Sequence, residues 1–194
     1  FAAQETGSRW RIIPGRAARI DFGRWLDAPA DDSRIFDVRT DEPILVHPQH
    51  DLALVPVART SRNGAGAFPP ALAIASDGVD ATEGRKVYVA GHPARNDNAP
   101  ERLLQYRLFQ GIFDVKRLQP GQVMQVLADK GTLLHDCSTL GGNSGSPVID
   151  LETNHVLGLH YAGFHRHANL AVALWNLVDD PLLREAGVPF YGRV

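Results

Sequence analysis

Short runs of β-forming residues alternate with turn residues along most of this 194-residue chain. The sequence holds 18 glycines and 13 prolines, many of them between the runs, where they act as turn signals. Polar and apolar residues alternate within several runs, which is typical of strands with one buried face. Strands this short and this regularly spaced predict an all-β sandwich or barrel. The predicted strands cover residues 9–13, 18–25, 34–39, 44–46, 52–57, 86–91, 103–116, 122–127, 133–137, 147–151, 156–161 and 169–174.

Two stretches depart from this pattern. Residues 60–70 are rich in glycine, proline and polar residues, which predicts a long connection between two groups of strands. Residues 174–187 predict a short helix, with Gly187 at the C′ position where helices commonly end.

Charge and cysteine content exclude several classes of protein. The net charge of −2 implies no broad attraction to nucleic acid or to an anionic membrane, and no apolar run approaches the roughly 20 residues that span a bilayer. The single cysteine, Cys137, excludes an intrachain disulfide and weakly favours a reducing, cytoplasmic compartment. Its apolar surroundings predict a small core residue rather than a reactive thiol.

The segment 138–147 reads Ser-Thr-Leu-Gly-Gly-Asn-Ser-Gly-Ser-Pro. A catalytic serine must be exposed to a carbonyl and to a base, and the glycines beside Ser144 allow an exposed turn. Gly142 would let the N–H groups of Gly142 and Ser144 point the same way, which makes an oxyanion hole. The alternative interpretation is a glycine-rich hairpin turn.

This segment resembles the nucleophile loop of trypsin-like (chymotrypsin-fold) serine peptidases. Its Gly-Asn-Ser-Gly-Ser-Pro form is most similar to the bacterial V8-type, glutamyl-endopeptidase-like branch. The resemblance implies two six-stranded antiparallel β-barrels with a short C-terminal helix, and the first barrel would be incomplete at the N-terminus of this chain, with no strand before Arg9. It divides the chain into the first barrel (1–70), a linker (71–84), the second barrel (85–174) and a C-terminal helix and tail (175–194).

A second motif lies in the first half of the chain. Asp51 precedes the apolar stretch 52–55, and the segment resembles the one that bears the acid in these peptidases. The resemblance implies that Asp51 orients a catalytic histidine through its Nδ1–H and stabilises the imidazolium. By itself, an aspartate before an apolar run is also common as a solvated residue at the start of a strand.

The catalytic histidine of this family precedes the acid, and residues 1–46 contain no histidine. His50 is adjacent to Asp51, and neighbouring side chains on a strand point to opposite faces. His47 lies in the segment that carries the acid, where the family does not place its base. Two explanations remain: the base lies upstream of Phe1, which we favour, or the chain is a degenerate peptidase that has lost it. On the first explanation, residues 1–194 alone are inactive, and an upstream segment or a cleaved fragment completes the site.

The same resemblance implies a specificity pocket for the residue before the scissile bond, the P1 residue. Ser138, six positions before Ser144, would form a neutral floor that disfavours Arg and Lys. Thr139 and His160 match the V8-type residues that contact an acidic P1 side chain, and such a contact gains from charge-assisted hydrogen bonds. Ala162 and Gly163 stand where the family has Gly-Gly. The alternative for His160 is a satisfied core histidine.

The predicted function is therefore a serine endopeptidase with peptide or protein substrates, and its alternative is an inactive peptidase-fold module that binds peptides or regulates. No cofactor is expected. His165 and His167 lack an evident third ligand, so no metal is expected either. An α/β-hydrolase is disfavoured because no histidine follows His167.

Overall fold

The computed structural model describes residues 2–99, 101–164 and 167–191. The chain forms two compact units, Phe1–Ala71 and Leu72–Val194. Antiparallel strands dominate both units, which confirms the predicted all-β fold class. None of the helices in these described ranges is both long enough and apolar enough to cross a membrane.

The described part of the first unit contains six short strands in two sheets. One sheet has four strands in the order β1-β2-β5-β6, and β3 pairs with β4 in the other. Ile12, Val38 and Ile44 form a small core cluster beside the first sheet. The strands are β1 (Ala2–Thr6), β2 (Arg9–Ile12), β3 (Arg19–Asp21), β4 (Ile35–Asp37), β5 (Ile44–Val46) and β6 (Ala53–Leu54).

This unit differs from the prediction in two details. A strand, β1, does precede Arg9, and it pairs with β2. Its residues are mostly polar and mostly exposed, so the alternation that marks a half-buried strand is missing there. The six strands also remain two separate sheets within residues 2–71, rather than one closed barrel.

The second unit is built on a closed six-stranded barrel, in the order β10-β11-β12-β9-β8-β7, which confirms the predicted second barrel. Alternate side chains of its strands point inward, as the period-two pattern requires. Val89, Val123, Leu133, Val148 and Leu157 have no exposed surface and fill the interior. The strands are β7 (Lys86–Gly91), β8 (Arg117–Leu127), β9 (Thr132–His135), β10 (Pro147–Asp150), β11 (Val156–Phe164) and β12 (Ala168–Ala173).

The predicted strand at 103–116 is wrong. Residues Arg102–Leu108 form a helix, α1, and β8 begins only at Arg117. The helical stretch is Arg-Leu-Leu-Gln-Tyr-Arg-Leu, in which six of seven residues are leucine, glutamine or arginine and none is β-branched. Such residues lose little rotamer freedom in a helix, so local propensity outweighs the apolar content that suggested a strand.

The segment predicted as a linker, 71–84, belongs largely to the second unit. Ala73 and Ala75 exchange backbone hydrogen bonds with Val156 at the start of β11, at 2.8 and 3.0 Å. Ile74 lies between them and forms bridges to Val156 and Phe190. This segment therefore ties both ends of the unit to the barrel.

The predicted C-terminal helix is present but shorter than 174–187. A 3₁₀ turn covers Leu174–Leu177, and α2 covers Pro181–Glu185. Pro181 fits the first helical turn because its missing N–H would be unpaired there in any case. The Asp180 carboxylate accepts hydrogen bonds from the amides of Leu182 and Leu183, which fixes the helix start. Gly187 has φ of +68°, as predicted for a C′ glycine.

Candidate active site

The second unit contains an open pocket of about 590 Å³. Its wall is formed by the loop between β9 and β10, by β11 and by the start of β12. The pocket is lined by Ser144 and by all five residues predicted for the specificity pocket, namely Ser138, Thr139, His160, Ala162 and Gly163. The fold therefore brings together, in one pocket, the residues that the sequence suggested for the nucleophile and the specificity pocket.

Ser144 lies in a tight turn just before β10. Gly142 and Gly145 on either side have φ of +90° and +84°, a region that only glycine adopts without strain. The side chain of Ser144 is exposed, and its Oγ donates a hydrogen bond to the carbonyl of Tyr161 at 3.2 Å. The hydroxyl is thus open to the pocket and is not packed into the interior.

The backbone amides of this turn differ in how they are used. The amide of Asn143 donates to Leu140 O at 3.2 Å, and that of Gly145 donates to His160 O at 2.7 Å. The amides of Gly142 and Ser144 have no hydrogen-bond partner in the part of the chain that the structure describes. These two amides are the ones predicted to form the oxyanion hole, and that role remains a prediction.

The turn is held from below by Asn143, whose side chain is fully buried. Asn143 and Gln119 on β8 exchange two side-chain hydrogen bonds, and Asn143 Nδ2 also donates to Leu140 O. Sequence reasoning missed both residues. Asn143 could have been suspected because it adjoins Ser144, but Gln119 carries no local signal.

Gly142 is also required by a close backbone approach. A Cβ at this position would lie 2.6 Å from His92 O and 2.9 Å from Ala94 Cβ. The amide of Ala94 donates to Gly141 O at 2.7 Å, so the segment after β7 runs directly alongside the turn. Glycine is thus needed at position 142 both for the positive φ and for the close approach of the neighbouring backbone.

His160 on β11 is almost completely buried and has a second histidine behind it. His160 Nδ1 lies 3.2 Å from Nε2 of His135 on β9, and the two rings meet edge to face. Burial, with the neighbouring His160 as a further cause, lowers the pKa of His135 to about 3. Burial also lowers the pKa of His160, so both rings are neutral near pH 7.

Thr139 is held by Asn169, another residue that the sequence did not point to. Thr139 Oγ1 donates to Asn169 Oδ1 at 2.6 Å, and Asn169 Nδ2 donates to Cys137 O at 2.7 Å. Asn169 lies opposite His135 in the pairing of β12 with β9, a relationship that depends on strand register. The single proton of the Thr139 hydroxyl is therefore already donated to a residue of the pocket wall.

Other groups complete the pocket wall. Asp136, Cys137 and His167 line it, and Cys137 is buried. Burial, together with Asp136, raises the pKa of the Cys137 thiol to about 12, as fits the predicted core residue. His165, which was considered with His167, lies outside the described residues.

Asp51 lies in the first unit, in the turn between β5 and β6, and its side chain is exposed. The turn is shaped by His47, whose Nδ1 accepts hydrogen bonds from the amides of Gln49 and His50 at 3.1 and 3.0 Å. His47 is buried and serves this turn. The role assigned to Asp51 remains a prediction.

An exposed serine in a glycine-flanked turn, beside a pocket on a closed antiparallel barrel, is the arrangement found in chymotrypsin-fold serine peptidases. The model of the family described as "Trypsin-like peptidase domain" matches residues 22–159, a range that includes Asp51 and Ser144. The chain belongs to this family.

Solved structures resemble the chain at low sequence identity. A Glu endopeptidase is 16% identical, with 84% of this chain and 70% of that chain covered and a TM-score of 0.54. A scabies mite inactivated protease paralogue, S-D1, is 14% identical, with 81% and 78% covered and a TM-score of 0.52. The active form of the Rv3671c protease from M. tuberculosis is 17% identical, with 81% and 66% covered and a TM-score of 0.49. Likenesses this distant show the fold alone, and no curated protein matches the sequence significantly.

Proposed function

We propose that this chain is the peptidase domain of a serine endopeptidase, with Ser144 as the nucleophile. The observation that carries the proposal is the exposed Ser144 Oγ, next to two main-chain amides without a partner in the described residues. When a serine attacks a peptide carbonyl, the carbonyl oxygen becomes anionic and needs donors that are already in place. The amides of Gly142 and Ser144 would supply them.

The reaction would follow the acyl-enzyme route. A general base takes the Ser144 proton during attack, and its protonated form then gives a proton to the leaving amine. Water, activated by the same base, hydrolyses the acyl-enzyme and restores the serine. Asp51 would orient the base and stabilise its positive charge.

The family places its catalytic histidine before the acid, and residues 1–46 hold no histidine that could be this base. His47 does not fit this role, because its Nδ1 already accepts two backbone amides in the turn before Asp51. We assign the base to a histidine upstream of Phe1, in the same gene product or in a cleaved companion fragment. The order His, Asp, Ser of the family supports this assignment.

We further propose an acidic P1 preference, as in the V8-type branch. His160 lines the pocket and Ser138 is an exposed neutral residue of its wall, so both fit a carboxylate better than a cation. Thr139 would contribute only after its hydroxyl turns away from Asn169, because a carboxylate needs a donor. Ala162 and Gly163 would form the wall along which the side chain enters.

The test is covalent labelling of the full-length protein with a fluorophosphonate probe. We expect labelling that Ser144→Ala abolishes and that Ser138→Ala, a change at an exposed serine of the same pocket, retains. Absence of labelling in a folded sample would overturn the enzyme and favour the alternative, an inactive module that binds extended peptides by strand addition. A peptide library scanned at P1 tests the specificity, and equal or better cleavage after Arg than after Glu would refute the acidic preference.

A further inference from the structure

The pocket has a second layer that the proposed reaction does not use. His135 has no exposed surface and does not line the pocket, yet its Nε2 meets Nδ1 of His160 at 3.2 Å. Nδ1 of His135 is buried and has no partner within the described ranges. His160, in contrast, lines the pocket, and its Nε2 makes no hydrogen bond to any described residue. Nε2 is therefore the nitrogen that an occupant can reach.

A neutral imidazole has one N–H and one bare nitrogen, so the contact between the rings has only two arrangements. In the first, His135 Nε2–H donates to His160 Nδ1, and His160 carries its own proton on Nε2. In the second, His160 Nδ1–H donates to His135 Nε2, and His135 carries a buried N–H at Nδ1 without a partner. Orphaned buried N–H groups are rarer than orphaned acceptors, and the Nε2–H form is the commoner neutral tautomer of histidine. Both considerations favour the first arrangement.

We propose that His135 is a positioning residue for specificity: by donating to His160 Nδ1, it holds His160 as the Nε2–H tautomer, which offers a hydrogen-bond donor to an oxygen of the P1 side chain. The identity of the occupant rests on the proposed peptidase function. The state of the two rings does not, because it follows from the geometry of β9 and β11 alone.

The proposal narrows the class of side chain that the pocket takes. A fixed donor matches a carboxylate or a carboxamide oxygen, so Glu should bind well and Gln should still be accepted. Lys and Arg offer only donors and would face the His160 N–H unfavourably. An apolar side chain would leave the N–H without a partner in a largely buried place, which weakens its binding.

The remaining titratable groups around the pocket do not replace this donor. Asp136 offers only acceptors, and one of its oxygens already receives the amide of Gln122 at 2.7 Å. Cys137 keeps a neutral thiol because burial raises its pKa to about 12. His167 also lines the pocket, and it is unchanged in every His135 variant compared below.

The direct test measures the tautomers in the full chain by long-range ¹H–¹⁵N correlation of ring nitrogens near pH 7. We expect Nε2–H for both His135 and His160 in the native protein. His135→Met, which removes the donor at similar volume, should let His160 populate the Nδ1–H form, whereas His135→Gln, whose amide can donate from the same place, should keep it Nε2–H. An Nδ1–H tautomer of His160 in the native protein overturns the proposal, even if a variant fails to fold.

Binding of product-like peptides tests the consequence for specificity. Three acetylated tripeptides that differ only in a C-terminal Glu, Gln or Leu serve as probes, and their Kd values are measured by calorimetry. His135→Met should weaken the Glu peptide about 10-fold and leave the Leu peptide within about 2-fold, because one charge-assisted hydrogen bond is lost. His135→Gln should keep the native order.

Equal weakening of all three peptides would mean that His135 only supports the fold, which overturns the positioning role. These outcomes are distinct from failure of the proposed function, since neither the tautomers nor peptide binding requires Ser144 to react. If the chain shows the expected tautomers but is not labelled by the fluorophosphonate, the role of His135 stands and the protein is a peptide-binding module rather than a peptidase.

Discussion

The side chains of Asn143 and Gln119 form a reciprocal amide pair beneath the Ser144 turn. Gln119 Nε2 donates to Asn143 Oδ1 at 2.8 Å, and Asn143 Nδ2 donates to Gln119 Oε1 at 3.2 Å. Both residues are buried, so water cannot replace either bond without rearrangement. The pair connects the residue before Ser144 to the start of β8 and fixes where the turn sits on the barrel.

Replacing Gln119 by Leu should loosen this turn. The change leaves a buried Asn143 amide without its partner, which costs about 1–3 kcal/mol of unfolding free energy. It should also slow fluorophosphonate labelling of the full-length protein about 10-fold, because the amides of Gly142 and Ser144 are no longer held in place. Urea unfolding followed by tryptophan fluorescence, to which the buried Trp175 of the second unit contributes, measures the first effect.

The matched control for this change is Gln125→Leu, at an exposed position of the same strand. It should alter stability by less than about 0.5 kcal/mol and leave the labelling rate unchanged. A Gln119→Leu variant that is destabilised but labels at the native rate would show that the amide pair serves stability only.

Gly142→Ala should damage the turn more than Gly141→Ala, although the two glycines are neighbours. Gly142 has φ of +90° and lies against His92 O, whereas a Cβ at Gly141 would meet nothing within 4 Å. A non-glycine residue at such a φ costs of order 1–3 kcal/mol, and the clash adds to this. We expect lost labelling and lower stability for Gly142→Ala, with near-native values for Gly141→Ala; similar behaviour of the two variants would contradict the described backbone.

Asp150 should give the second unit a stability that disappears in acid. Burial alone would raise the pKa of its carboxyl, but hydrogen bonds from Arg85 and Thr153 lower it to about 2. Because the folded pKa lies below the unfolded value of 3.8, this contribution is complete above pH 4 and is lost as pH falls from about 4 to about 2. Unfolding free energies of the native chain and of Asp150→Asn should therefore converge over this interval.

At neutral pH, Asp150→Asn should cost about 3 kcal/mol, because it removes one partner of a buried ion pair. The control is Glu152→Gln, which removes another carboxylate partner of Arg85. The side chain of Glu152 is 70% exposed. Exposed ion pairs contribute about 0–1 kcal/mol, so this variant should be close to native. Equal losses for the two variants would argue against the burial of Asp150 as the cause.

His135 should produce a separate pH effect at higher pH. Its folded pKa of about 3 lies below the unfolded value of 6.5, so the unfolded chain binds a proton that the folded chain does not. Stability should therefore be greatest above pH 6.5 and fall by about 1.4 kcal/mol per pH unit below it for this one residue. In His135→Gln the slope between pH 6 and 4.5 should decrease by that amount; an unchanged slope would show that His135 titrates normally in the folded chain.

The predictions were most accurate where period-two alternation and turn residues mark the strands and loops in the sequence. Alternation predicted most barrel strands of the second unit, and the resemblance of segment 138–147 to a known nucleophile loop pointed to the exposed turn at Ser144 and to five other residues that line its pocket. The strand β1 was not, because its exposed polar residues lack alternation. Helix α1 was mistaken for a strand because leucine content in a short window does not distinguish the two.

The contacts behind the pocket could not be predicted for a different reason. Gln119, His135 and Asn169 reach the site only through the register of β8, β9 and β12, which no local window encodes. A residue 25 positions away in sequence, such as His135 from His160, becomes a neighbour only once the barrel closes. Tertiary pairing therefore decides the second layer of the site, while sequence motifs indicate the first.

The bridges that Ile74 makes to Val156 and Phe190 set practical limits for dissecting the protein. A recombinant fragment that starts at β7 would lack the backbone hydrogen-bond partners of Val156 and Tyr191. The amide of Tyr191, for example, donates to Ile74 O. Unpaired main-chain N–H and C=O groups of this kind can pair with another molecule and promote aggregation. An isolated second unit should therefore be expressed from residue 72 and retain residues 190 and 191.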